Sequence, residues 1–312
     1  MKGFIVYPDY KVVDDRAYVV LYGRLENGES FCTVNYFKPY FYIKKSDLKK
    51  AEKLEDFEVC ESGFKNADDE EVVEIVVDVP ADVPKVRKSF SENKIKHYEG
   101  DIKFPYRFLI DNNINGCVDI SGEYIKENNI DRVYNEPELK SCVFKPKLRV
   151  LAIDIETDME SKEIYCISMV CDDYKKVFAV SDKKVKNAES FKDEEDLLEA
   201  FVVKVNELDP DVITGWNVID FDLKIIYEHC KKHKIDFRIA RDESRIKLTI
   251  EENFFRESKA NVAGRVVLDA LHLLRSSFVK VNDYKLDTVA FELLGEKKAI
   301  QFDDKGAEIE EM

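Results

Sequence analysis

The sequence offers no paired-cysteine signature. Its seven cysteines stand at 32, 60, 117, 142, 166, 171 and 230, an odd number with no CxxC spacing. That excludes a disulfide framework and a thiolate zinc site, and predicts reduced thiols in a cytoplasmic setting. Histidine is scarce, with four in 312 residues, so a His-based metal centre is not expected. No apolar run approaches the roughly 18 residues of a membrane span. The opening MKGFIVYPDY turns polar too early for a secretory signal, and no membrane partner is expected. Neither GxxxxGK[ST] nor GxGxxG occurs, which removes the common nucleotide-phosphate loops. What is present is a chain that is 45% hydrophobic and 36% charged, long enough for two domains with cores of their own. The net charge of −15 is the opposite of the basic footprint of a simple nucleic-acid binder. An enzyme that holds divalent cations on carboxylates escapes that objection, because the cations grip phosphate for it.

Composition and periodicity predict two α/β domains. Residues 1–145 read as an α+β unit. It has strands at Ala17–Tyr22, Tyr40–Ile43 and Val72–Val79, with Glu26-Asn27-Gly28 as the turn between the first two and a helix at Lys85–Asn93 opened by Pro84. The Pro-bearing stretch Tyr134–Lys147 leads into a second domain over 146–312. Three strands are expected there, Val150–Ile155, Ile164–Cys171 and Lys176–Val180, the last two an antiparallel pair about the turn Asp172–Lys175. Then follow a helix Glu194–Leu208, a short strand Asp211–Gly215 and a helix Asp222–Lys234 with Leu223, Ile226, Tyr227 and Cys230 on one face. A strand Val266–Leu268 and a helix Thr288–Leu294 closed by Gly295 complete the domain. The acidic tail Asp303–Met312 has no core of its own and is expected to be partly disordered.

The chemistry is carried by carboxylates. Arg149–Glu156 reads RVLAIDIE, and on a strand positions i and i+2 face the same way, so Asp154 and Glu156 project together from the end of an apolar strand. Two like charges so placed call for a divalent cation, although an isolated D-x-E is more often a pair of solvated acids. About sixty residues on, Asp209–Asp222 reads DPDVITGWNVIDFD, a short strand, a Gly-Trp-Asn turn and a Phe-Asp at a helix start. Asp222 by itself would suit a helix cap. Next to a D-x-E strand it suits a third ligand converging from a separate element.

These elements resemble the exonuclease motifs of archaeal-type family B DNA polymerases. Asp154–Thr157 (DIET) resembles the first, Asn217-x3-Phe221-Asp222 the second, and Tyr284–Gly295 the segment preceding the third. Phe37-Lys38-Pro39-Tyr40 and Asp101–Arg107 are similar to segments of the amino-terminal domain, so the likeness spans nearly the whole chain. It implies an α+β amino-terminal domain followed by a ribonuclease-H-like 3′→5′ proofreading exonuclease with a mixed sheet. It implies Mg²⁺ or Mn²⁺, two per complete site, on Asp154, Glu156 and Asp222, with Thr157, Asn217 and Phe221 positioning the 3′ end. The implied partners are DNA, as a single-stranded or frayed primer 3′ end and a template strand, the remainder of the polymerase in cis or as a split subunit, and a sliding clamp for the intact protein. The family's third motif, Tyr-x3-Asp, is not found in the second domain; Tyr284-x2-Asp287 has the wrong spacing, and Asp287 is expected on a helix surface. This polypeptide alone is therefore expected to be an impaired nuclease.

The same resemblance implies a template-uracil pocket formed by Tyr10, Pro39, Tyr40, Pro80, Val83, Arg87, Ile102, Phe104 and Arg107. A tight apolar pocket would admit uracil and reject thymine by its C5-methyl. The residues alone allow a plainer reading, with Val83 and Phe104 as core and Pro84 as a helix opener. The alternatives to a proofreading fragment are a free-standing ribonuclease-H-like nuclease and a non-catalytic DNA-binding module.

Overall fold

A run of long β-branched and aromatic segments at the amino terminus gives a large sheet. The computed structural model describes residues 1–158, 160–183, 188–251 and 257–296. Its first sheet has seven strands in the order Glu138–Ser141, Cys117–Ser121, Lys2–Val13, Arg16–Leu25, Ser30–Tyr36, Ile130–Asn135 and Tyr124–Glu127. Ser30–Tyr36 was not expected, and the Glu26-Asn27-Gly28 turn delivers the chain to it rather than to Tyr40–Lys44. Polar residues disguise this strand. Ser30, Thr33 and Asn35 are buried, and Asn35 Nδ2 donates to Val19 O (3.2 Å) and Thr33 Oγ1 (2.8 Å). Buried polar groups of this kind are tolerated because they are bonded.

A second sheet of four strands runs Glu58–Lys65, Glu71–Val76, Tyr40–Lys44, His97–Tyr98. Its inner face presents Phe41, Ile43, Val73 and Ile75 to Val86 and Phe90 of the helix Asp82–Glu92. The strand stops at Val76, short of the expected Val79, and the helix begins at Asp82, so Pro84 lies in its first turn.

The third sheet is mixed. Its order is Ala188–Phe191, Tyr174–Val180, Ile164–Cys171, Val150–Thr157, Val212–Gly215, Val266–Asp269, with Ile164–Cys171 antiparallel to all the rest. Leu151, Ile153 and Ile155 enter the core, which the helices Glu194–Leu208 and Lys224–Lys232 cover. Glu194–Leu208 starts where Asp193 caps it, its carboxylate accepting from Asp196 N (3.0 Å), with three acids in the first turn suiting the helix dipole. The stripe expected on the next helix is corrected at one position. Leu223, Ile226 and Cys230 are buried, but Tyr227 lies at the edge of the stripe and is 37% exposed, while Ile225 and His229 are buried instead. The last helix is Leu286–Leu294, with Gly295 at positive φ closing it. The tail Asp303–Met312 lies outside the described residues.

The first and third sheets are joined by ions rather than by oil. Arg24, Arg241 and Arg265, each at most 2% exposed, surround Asp209 and Asp211. Arg24 Nε reaches both oxygens of Asp211 (3.1 Å each), Arg241 Nη2 reaches Asp211 Oδ1 (2.7 Å) and Arg265 Nη1 reaches Asp209 Oδ1 (2.8 Å). Asp211 also accepts from Arg149 N (2.9 Å), at the entry to the strand that carries Asp154. Low dielectric makes each of these contacts strong and makes the loss of any one costly.

Candidate active site

The central strand Val150–Thr157 pairs with Val212–Gly215 only from Val150 to Ala152. Beyond that the two chains part, which leaves a crevice at the carboxyl ends of the strands, where ligands of α/β sheets ordinarily bind. Gly215 permits the parting. A Cβ there would lie 2.5 Å from Ile153 O and 3.1 Å from Val218, so only glycine lets the backbone pass this close to the strand. Asn217 follows at φ 58°, a left-handed conformation that Asn tolerates, and its carbonyl accepts from Phe221 N (3.0 Å). A π turn at Ile219–Leu223 then sets Asp222 inward and leaves Phe221 38% exposed beside it.

Asp222 is 1% exposed, and it is not a helix cap. Its Oδ1 accepts from Ile155 N at 3.0 Å, the amide lying between Asp154 and Glu156 and beyond the end of the neighbouring strand. Burial first, and then the Asp154 charge, push the Asp222 carboxyl up to about 8. Asp154 and Glu156 share the face opposite Leu151, Ile153 and Ile155. Their field is felt on the neighbouring strand too, where burial and then Glu156 and Asp154 push the Cys166 thiol up to about 11. Thr157 is half-buried, its hydroxyl donating to Asp158 O (3.0 Å). The structure thus gathers Asp154, Glu156 and Asp222 at one strand end, with Thr157 closing that strand and Asn217 and Phe221 on the adjoining turn. Among the described residues, no three His, Cys, Asp or Glu side chains converge tightly enough to enclose a metal ion by themselves. Asp287 is exposed in the first turn of its helix.

Sequence reasoning missed one acid. Asp269, 3% exposed, ends the strand Val266–Asp269 opposite Gly215 and accepts from Leu271 N (2.9 Å) and Ile219 N (3.0 Å). It fixes the turn that carries Asp222 and adds its charge to the field there. The signal was available, an apolar strand running into an acid, as at Asp154. Beside it His272 Nε2 meets Asp220 Oδ2 at 2.8 Å.

The nine residues expected to form a base pocket all line one cavity of about 830 Å³. They come from several elements. Tyr10 is on the first strand, Pro39 and Tyr40 open the second sheet, Val83 and Arg87 are on the helix Asp82–Glu92, and Phe104 and Arg107 are on the helix Phe104–Asp111. Tyr10 meets Phe104 edge-on, with ring centres 5.6 Å apart. Arg87 Nη1 donates to Gly100 O (2.6 Å) and Arg107 Nη2 to Glu99 Oε2 (2.7 Å), yet the Nε of each finds no acceptor among the described residues. The Val83 and Phe104 side chains therefore serve cavity and core together.

A mixed sheet with acids gathered where its strands end defines an α/β enzyme domain with an acidic active-site crevice. A family model for "DNA polymerase family B, exonuclease domain" matches residues 95–289. The chain belongs to DNA polymerase family B, and carries that family's exonuclease domain. It is 30% identical over 222 residues to DNA polymerase II of Escherichia coli, covering 68% of this chain and 27% of that protein. It is 29% identical over 307 residues to a DNA polymerase of Methanocaldococcus jannaschii, covering 93% of this chain and 18% of that protein. Its fold matches the family B DNA polymerase of Pyrobaculum calidifontis with a TM-score of 0.77 at 23% identity, over 100% of this chain and 42% of that one. The chain thus spans less than half the length of each of these relatives. No helix among the described residues is long and apolar enough to cross a membrane, and all seven cysteines are unpaired.

Proposed function

We propose that the chain divides into a template-reading domain, 1–145, and a 3′→5′ proofreading exonuclease domain, 146–312. The observation that carries the nuclease reading is Asp222. A buried carboxyl is anchored to the amide between two further acids, and burial first and then the charge of Asp154 push it up to about 8. Such an excess of negative charge fits a divalent cation. The small number of converging ligands fits hard ions that keep several waters and borrow oxygens from a phosphate. Mg²⁺ or Mn²⁺, two per complete site, would be held by Asp154, Glu156 and Asp222, and when bound would supply Lewis-acid stabilisation and a nucleophile at the scissile phosphate.

The chain's own residues do the positioning. Asp222, with one oxygen fixed by Ile155 N, presents the other in a constant direction. Phe221 offers an exposed ring on which a terminal base or sugar packs, and Asn217 and Thr157 offer polar atoms to the last nucleotide. The crevice opens where the two strands part, and the substrate is a single-stranded or frayed 3′ end, whose terminal phosphate reaches the acids without unpairing a duplex.

In the amino-terminal domain the cavity reads template uracil. Two guanidinium N–H groups, the Nε of Arg87 and of Arg107, find no acceptor among the described residues and suit the carbonyls of the base, and Pro39, Pro80, Val83 and Phe104 contribute apolar wall.

Incubation of the chain with a 5′-labelled single-stranded oligonucleotide in Mn²⁺ tests the nuclease. A slow 3′ ladder that disappears in Asp154→Ala supports it, and saturable Mn²⁺ binding weakened by Asp154→Ala supports the site where turnover is too slow to see. Neither ladder nor binding would leave only a DNA-binding module. For the cavity, uracil-containing single strands should bind more tightly than thymine-containing ones, and Val83→Trp should erase the difference.

A further inference from the structure

Phe221 carries the exposed ring of the crevice, and little within its own turn fixes that ring. In the π turn Ile219–Leu223 the Leu223 amide donates five residues back, to Val218 O at 2.8 Å. Val218, Ile219 and Leu223 are held by the core, and Asp222 by Ile155 N. Asp220 and Phe221 are the two residues of the turn that are not buried, and neither belongs to the core.

The outer half of the turn is tied to the neighbouring strand and helix instead. Asp269 ends the strand Val266–Asp269 and caps the helix Ala270–Ser276. Its Oδ1 accepts from Leu271 N (2.9 Å) and His272 N (3.3 Å), and its Oδ2 from Ile219 N (3.0 Å). One carboxylate thus fixes the backbone of His272 and of Ile219 relative to each other. From that position His272 Nε2 reaches Asp220 Oδ2 at 2.8 Å. A carboxylate accepts only, so Nε2 is the donor. The two side chains are 13% and 29% exposed, shielded enough for the bond to be directional rather than a loose surface pair. A cavity of about 340 Å³, lined in part by Tyr7, Ile219, Asp269, His272 and Ser276, lies against this flank, so packing does not close it. Asp220 and Asp222 are the chain neighbours of Phe221. His272 holds one and Ile155 N the other, and the ring hangs between two fixed points.

We propose that His272 is a positioning residue for the 3′ end. Its bond to Asp220 sets the direction of the Phe221 ring, and through it the stacking of the terminal base, while the cation is left to the acids. The proposal rests on the nuclease reading for the role of Phe221.

The test is fluorescence anisotropy of the full chain in Ca²⁺ with two labelled single strands, one ending 3′ in a normal nucleotide and one in an abasic residue. The ratio of the two affinities is the contribution of the terminal base. In the parent chain it should be at least about fivefold, and it should fall to about one in Phe221→Ala. His272→Leu should bring it to about twofold or less. His272→Gln, whose side-chain amide donates in place of Nε2, should restore most of it. Asp220→Ala cuts the same bond from the other side and should match His272→Leu, with no further loss in the double variant. Both His272 variants should keep the parent's affinity for the abasic strand and, by calorimetry, for Mn²⁺, which a misfolded variant would lose. A ratio that Phe221→Ala removes and His272→Leu leaves intact overturns this proposal alone. So does a ratio that His272→Gln fails to restore. Loss of Mn²⁺ binding in both His272→Leu and Asp220→Ala would make the pair a support of the whole crevice, and overturns it too. A parent ratio of about one overturns the reading of Phe221, and this proposal with it.

Discussion

Cation binding at the exonuclease crevice should be coupled to the loss of one proton. Without a cation the Asp222 carboxyl sits at about 8, raised by burial and by Asp154, so at pH 6 and 7 it is mostly protonated. A divalent cation beside it requires the ionised form, and binding therefore expels the proton. Below about pH 8 each unit of pH should change apparent Mn²⁺ affinity tenfold, and above it the dependence should flatten. At pH 6, two units below, the deprotonation costs about 2.7 kcal/mol of binding free energy, at about 1.36 kcal/mol per unit. Calorimetric titration with Mn²⁺ in buffers of different ionisation enthalpy measures both the affinity and the protons released. About one proton should leave at pH 6.5 and few at pH 9, and Asp222→Asn should remove the release and flatten the profile. Affinity that is constant from pH 6 to 8, with no proton released, would refute the argument even if Asp154→Ala still abolished binding.

The same carboxyl makes a stability prediction in the absence of metal. Its folded pKa lies above the unfolded value, so the native state loses stability as pH rises from about 4 towards 8. Asp222→Asn keeps an acceptor for Ile155 N, and should raise the melting temperature at pH 8 by the equivalent of up to about 5 kcal/mol, from the shift of about four units at about 1.36 kcal/mol each, while changing little at pH 4. In the buried ion cluster three guanidiniums oppose two carboxylates, so the partners are not equivalent. Asp211→Asn, which leaves a surplus of buried positive charge, should cost about 3–5 kcal/mol in urea unfolding, and Arg24→Met clearly less. Gly215→Ala should cost about 1–3 kcal/mol and weaken Mn²⁺ binding, because the added methyl forces the strands apart at Ile153 O; binding unchanged from the parent would show that the crevice does not depend on that close approach.

The parts of this molecule that were legible in its sequence are those set by local period. Alternation alone put Asp154 and Glu156 on one face opposite Leu151, Ile153 and Ile155, and the structure agrees residue by residue. Glu194–Leu208 was readable for the same reason, its boundaries being written in a capping Asp and a row of acids. What stayed hidden depends on burial, which period does not report. Ser30–Tyr36 looks too polar for an interior strand until its side-chain hydrogen bonds are seen. Arg24 lies in a strand and would be assigned to solvent, yet it is buried because Asp209 and Asp211 arrive from 185 and 187 positions away.

Asp222 shows how much of a side chain's setting a local pattern leaves out. A helix start with a preceding turn is the ordinary setting of a capping Asp, and no local pattern says otherwise. The carboxylate is instead taken by Ile155 N, an amide left open because the neighbouring strand turns away after Gly215. That one bond does two things at once. It completes the hydrogen bonding of a strand end that would otherwise bury an orphan donor, and it holds a carboxyl against the charge of Asp154, where water cannot relieve the repulsion. A structural acid has no reason to accept that repulsion when Asn would satisfy the same amide without it. The repulsion is useful only if something positive is to come between the two groups. The gain in stability on Asp222→Asn and the loss of cation binding are therefore two faces of one electrostatic energy, and they should change together across pH.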